Sequence, residues 1–170
     1  GYGPRNSFTS MNTLLTGGLL RSRDVIILGG VLREQVVAPL DIYDVSIFGA
    51  ANNPRQATTG TGGVPANGTV TGGGATWAPP ATGAAATTPL LELRAAGWSI
   101  NNIEFSPVNA SAAVRLTRSA SVDTIDASHT SFDGCAFQSN GGTTQIGIED
   151  SGGSGFVTID NCRFEDLGGT

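Results

Sequence analysis

The chain has 170 residues and a formal net charge of −5, and its 9 cationic side chains are all Arg. An acidic chain without a basic stripe argues against nucleic acid as a partner, because phosphate neutralisation supplies most of that affinity. No apolar run reaches the length of a membrane span, so no membrane insertion is expected, while 25 Gly and few aromatics favour short strands joined by tight turns.

Residues 1–20 read as an N-terminal lead-in or cap, with no convincing amphipathic helix. The chain opens at Gly1 without an initiator Met, so a leader or a larger N-terminal part is expected upstream. Residues 21–170 read as one repeating region, because four stretches share a short pattern centred on Asp44, Asn102, Gly134 and Asn161. Two residues before that centre stand Ile42, Ile100, Phe132 and Ile159. Four before it stand Leu40, Trp98, Thr130 and Val157. One after it come Val45, Ile103, Cys135 and Cys162, and three after it come Ile47, Phe105, Phe137 and Phe164. The alternation describes two short half-buried strands. Between them sits one residue that tolerates positive φ, as Asn, Asp and Gly do.

The last two intervals between centres are roughly thirty residues, a span usual for repeat architectures. The first is about twice as long, and the excess falls in 51–88, a loop insertion of Gly, Thr, Ala, Pro and Asn. Trp77 is its only aromatic residue and is expected to dock the loop on the flank of the repeats. Leu90-Leu91-Glu92-Leu93, Ala113-Val114-Arg115-Leu116 and Ile146-Gly147-Ile148-Glu149 each precede a later stretch as a further strand. One coil per repeat, stacked at about 4.8 Å, gives an all-β parallel solenoid. Its expected core ladder is Ile47, Phe105, Phe137 and Phe164, with Cys135 and Cys162 in a neighbouring slot.

Chemistry-bearing residues are sparse. The two cysteines share a slot that holds Val45 and Ile103 in the other copies, so they read as reduced packing residues rather than a disulfide or metal pair. His129 follows Asp126-Ala127-Ser128 and reads as a turn or surface histidine rather than a general base. Glu149-Asp150 and Glu165-Asp166 are the candidate catalytic carboxylates, since paired acids are what glycoside hydrolysis requires. Acids beside Gly-rich turns are also common as solvated turn residues, and no catalytic set is assigned. Gly72-Gly73-Gly74 and Gly152-Gly153 lack the lysine of a phosphate loop. Asn67-Gly68-Thr69 and Asn109-Ala110-Ser111 match the short glycosylation pattern. No cofactor and no metal is expected.

Arg23-Asp24-Val25-Ile26-Ile27-Leu28, Gly30-Val31-Leu32-Arg33-Glu34-Gln35-Val36-Val37 and Asp44-Val45-Ser46-Ile47-Phe48-Gly49-Ala50 resemble the opening coils of the pectate-lyase-like right-handed parallel β-helix superfamily. Gly147-Ile148-Glu149-Asp150-Ser151-Gly152-Gly153 and Val157-Thr158-Ile159-Asp160-Asn161-Cys162-Arg163-Phe164 resemble its inner coils. The whole resembles β-helix segments of tailed-phage tailspikes and tail fibres, over about 21–50 and 90–167. The signatures of pectin methylesterases and pectate lyases are not recognisable. The resemblance implies a right-handed parallel β-helix in a virion. It would be a structural or host-attachment component, a homo-oligomer such as a trimer, joined to other virion proteins and touching host surface polysaccharide. The alternatives are a polysaccharide depolymerase (lyase or hydrolase) of the tailspike kind and a secreted or cell-surface adhesin. The absence of a capping motif after Leu167 suggests further chain, or a partner subunit, beyond the last coil.

Overall fold

The computed structural model describes residues 8–50, 75–118, 125–138, 146–152, 154–165 and 167. A short helix α1 (Met11–Thr16) precedes fourteen strands: β1 (Val25–Leu28), β2 (Val31–Arg33), β3 (Val36–Val37), β4 (Ser46–Gly49), β5 (Ala75–Ala78), β6 (Leu91–Leu93) and β7 (Ser99–Asn101), followed by β8 (Ile103–Phe105), β9 (Ala112–Leu116), β10 (Ser131–Asp133), β11 (Ala136–Gln138), β12 (Ile146–Asp150), β13 (Thr158–Asp160) and β14 (Arg163–Glu165). They form three sheets, ordered β1-β4-β7-β10-β13, β14-β11-β8-β5-β2 and β12-β9-β6-β3, and every pairing is parallel. The chain visits the first, second and third sheet in turn, so each circuit adds one strand to each. The fold is all-β with parallel sheets side by side, compatible with a parallel β-helix.

Register turns the alternation of each strand into continuous interior columns. In the first sheet Ile26, Ile47, Ile100, Phe132 and Ile159 are successive neighbours. In the second the column runs Leu32, Trp77, Phe105, Phe137 and Phe164. The third holds Val36, Leu91, Val114 and Ile148. The rings stack face on face: Trp77 on Phe105 at 5.8 Å, Phe105 on Phe137 at 5.3 Å and Phe137 on Phe164 at 4.7 Å. Trp77, Phe105 and Phe137 are fully buried, whereas Phe164, on the last coil, is half exposed.

Two expectations are corrected by this register. Ile47 does not share the column of Phe105, Phe137 and Phe164; it stands opposite Ile26 and Ile100 in the first sheet. Trp77 does not pack on the flank of the repeats but fills the interior slot that Ile47 was expected to hold, with its indole N–H on the Glu34 carbonyl at 3.0 Å. The reason is that the circuit turns at positive φ in more than one place. Asn102, Gly134 and Asn161 have φ of 59°, 64° and 50° and follow the first-sheet strands. Asp44 has φ 56° but precedes β4, in the place of Arg23, Gly97, His129 and Phe156, all at positive φ. Two corners of like chemistry had been aligned as one. The insertion shrinks accordingly: β5 belongs to the coil, and residues 51–74 lie outside the described residues, as does the Asn67-Gly68-Thr69 pattern.

Local contacts fix the ends of the strands. Ser10 caps α1 by accepting from the Thr13 N–H at 3.1 Å, and Met11 and Leu15 are buried. Asn12 ties the helix to the first circuit through Glu34 and the Gln35 carbonyl. Gln35 also clamps the segment after β5: its amide donates to the Ala85 and Thr88 carbonyls at 2.8 Å each, and its carbonyl accepts from the Ala85 N–H. At Gly49 a Cβ would collide with the Asn102 carbonyl, so only glycine fits where the chain leaves β4.

Candidate functional site

The outer faces carry the titratable groups, and their positions follow from the same register. In the third sheet Glu92, Arg115 and Glu149 are in-register neighbours, one per coil. Arg115 Nε lies 2.7 Å from Glu149 Oε2, and its Nη2 donates to Ser111 Oγ at 3.0 Å. Glu92 takes Arg94 Nε at 2.7 Å. Asp150 follows Glu149 on β12, and successive strand residues point to opposite faces. Its Oδ1 accepts the backbone N–H groups of Gly152 and Ser154 at 3.1 Å each, which fixes the turn after the strand. Glu165 lies on β14 in the second sheet, 3.4 Å from Arg163 Nε. Asp166 lies outside the described residues.

The candidate carboxylates are thus on two different sheets, and those described are engaged locally: Glu149 and Glu165 with arginines, Asp150 with backbone. Glu149 links two coils, Glu165 pairs along its own strand and Asp150 fixes a turn, whereas attack on a glycosidic bond needs two carboxyl groups converging on one substrate. Among the described residues no group of three or more His, Cys, Asp or Glu side chains could hold a metal ion.

Two carboxyl groups are shifted. Burial in the second sheet pushes Glu104 above its ordinary range, opposed by Arg163. Asp126 is held below the ordinary range, first by its side-chain hydrogen bond with Ser128. Its Oδ1 also accepts the Ser128 N–H at 2.9 Å, so this acid shapes a turn.

His129 sits at a corner with φ 57°, its N–H on the Gly155 carbonyl at 3.1 Å. Its ring stacks on Phe156 with centroids 5.0 Å apart and planes 8° from parallel. Phe156 also has φ 57° and is 81% exposed. Bulky residues rarely occupy this conformation, and the pair forms an aromatic platform on the outside of the last coils. Sequence reading passed over Phe156, because a lone Phe in a Gly/Ser stretch gives no periodic signal.

The cysteines are both free thiols, Cys135 buried and Cys162 partly so. They stand in the column Ala75, Ile103, Cys135, Cys162, in which Ala75 and Ile103 open β5 and β8 and the cysteines immediately precede β11 and β14. Val45, which was aligned with them, belongs instead beside Trp98, Thr130 and Val157. Each sulfur faces backbone carbonyls: Cys135 Sγ is 3.4 Å from the Ile100 oxygen, and Cys162 Sγ is 3.2 Å from the Asp160 oxygen. The proximity of the two thiols moves them in opposite directions. Cys135 is pushed up by its pairing with Cys162 and by burial. Cys162, the less buried of the two, is lowered to about 7 by its pairing with Cys135, against the opposing effects of burial, Asp133 and Asp160.

Comparison with known proteins brought no match: no family model, no curated protein and no solved structure is similar to this chain.

Proposed function

We propose that the chain is a segment of a right-handed parallel β-helix serving as a structural and host-attachment component of a tailed-phage virion. The observation that carries this reading is the uninterrupted stack of three parallel sheets, its interior filled by in-register apolar columns. Such a stack is stiff along its axis, because every coil is hydrogen-bonded and packed to the next. The described candidate carboxylates Glu149, Asp150 and Glu165 are engaged by arginines and turn backbone, which favours a scaffold over a depolymerase. The resemblance of 21–50 and 90–167 to tailspike and tail-fibre coils supplies the virion context. Assembly as a trimer with other virion proteins belongs to the same proposal.

In this reading the His129–Phe156 platform is the surface offered to host polysaccharide, since an exposed aromatic face packs well against the apolar side of a sugar ring. The test is to incubate the full-length protein with host capsule or lipopolysaccharide, measuring both retention and new reducing or unsaturated ends. Retention without new ends is expected. Turnover that disappears in Glu149→Gln or Asp150→Asn would establish the depolymerase instead.

A further inference from the structure

We propose that Cys135 and Cys162 are a dithiol pair that closes into a disulfide between the last two coils on exposure to a small-molecule disulfide. The geometry rests on register. Ala136 pairs with Arg163 in parallel, and the Arg163 N–H donates to the Cys135 carbonyl at 2.9 Å. The Gly134 N–H donates to the Asp160 carbonyl at 3.1 Å, so the two cysteines are bracketed by coil-to-coil hydrogen bonds on both sides. In-register neighbours in a sheet have Cα atoms about 4.8 Å apart, inside the range that a disulfide spans. Both side chains belong to the same interior column and hence leave the backbone on the same side.

The two thiols differ in the way a dithiol couple requires. Cys162 is partly exposed on the last described coil whereas Cys135 is buried, so Cys162 is the sulfur that meets solvent and a dissolved oxidant first. Cys135 is fully buried beneath it, beyond direct reach of a bulky oxidant but adjacent to Cys162. This assigns Cys162 as the attacking thiolate and Cys135 as the resolving thiol.

The chemistry balances with a disulfide of the glutathione class, RSSR, as oxidant. The Cys162 thiolate attacks one sulfur, forming Cys162–S–SR and expelling RS⁻, which takes a proton from solvent. Cys135 then attacks the Cys162 sulfur, its proton passing to the departing RS⁻. The Cys135–Cys162 bond forms, and the second RS⁻ leaves and is protonated. Two protein thiols are oxidised, and one RSSR becomes two RSH. The product staples β11 to β14 and pins the last coil, whose Ile159 and Phe164 are otherwise half exposed. This inference does not depend on the virion reading.

The test treats the folded, full-length chain with excess oxidised glutathione near neutral pH, followed by quenching, alkylation under denaturing conditions and intact-mass measurement. The expected product has lost two hydrogens, takes up no alkylating agent, and maps to a Cys135–Cys162 link. Amide exchange across 158–165 is expected to slow by on the order of tenfold or more after oxidation. Cys135→Ala is expected to retain glutathione as a stable adduct on Cys162, whereas Cys162→Ala leaves Cys135 unmodified. Full alkylation of both thiols after oxidant, or a glutathione adduct on Cys135 in folded Cys162→Ala, overturns the proposal. Should either variant fail to fold, the wild-type mass and alkylation pattern decide it alone.

Discussion

Among the described residues, Phe105 and Phe137 have an aromatic neighbour on each ring face, whereas Phe164 has one. Truncating either inner ring opens a cavity that the columns above and below cannot collapse into. Phe105→Ala is therefore expected to lower stability by about 3–5 kcal/mol, measured by urea unfolding. Phe164→Ala, at a half-exposed position, is expected to lose clearly less. An equal or larger loss for Phe164→Ala would contradict the half-exposed position of that ring. Glu104 gives a pH-dependent counterpart. Because burial raises its folded value, the native state holds more protons than the unfolded one between the ordinary carboxylate range and that raised value. Stability attributable to this group thus falls as pH rises through that window. Glu104→Gln is expected to be more stable than wild type above the window and to show no gain below it. Parallel urea titrations at several pH values check the sign.

Strands and corners differ in how legibly the sequence announces them. The third-sheet strands β6, β9 and β12 were readable because Leu91, Val114 and Ile148 each sit in an alternating run. Asn102, Gly134 and Asn161 were readable as corners because few residues take positive φ at low strain. The second set of corners was not, since Arg23 and Phe156 occupy the same conformation with side chains that carry no such preference. That silence led Asp44 to be aligned with the wrong corner and Ile47 with the wrong column. Strand β5 was hidden for a different reason: Ala-Thr-Trp-Ala, after a Gly/Thr-rich run, shows one large apolar residue and no alternation of its own. The carboxylates were visible, but the distant partner of Glu149 was not. Arg115 lies 34 residues from Glu149 and meets it only through coil register. Arg115→Ala is expected to cost roughly 0.5–1 kcal/mol, as a partly buried ion pair does. Gly49→Ala is expected to cost about 1–3 kcal/mol, because its Cβ would press on the Asn102 carbonyl. Thermal unfolding ranks the two, and a Gly49→Ala variant as stable as wild type would show that β4 does not abut that corner.

At the scale of the whole molecule, stacking makes the chain close to one-dimensional: each coil leans on its neighbours along the axis. On the first side α1 packs over β3 with Met11 and Leu15 buried. On the last coil Ile159 and Phe164 remain half exposed, and Cys162 sits beside them. If the platform on these last coils contacts polysaccharide, Phe156→Ala should weaken retention on host capsule several-fold while leaving the unfolding free energy within about 0.5 kcal/mol of wild type, as surface changes usually do. Loss of retention together with unfolding would assign Phe156 to folding rather than recognition. The central claim is that one aromatic column runs through successive coils, and an experimental structure at side-chain resolution tests it most directly. It should place Trp77, Phe105, Phe137 and Phe164 in a single stack with neighbouring rings 4.7 to 5.8 Å apart. Rings dispersed over separate sheets, or Trp77 lying on the outer surface, would contradict it.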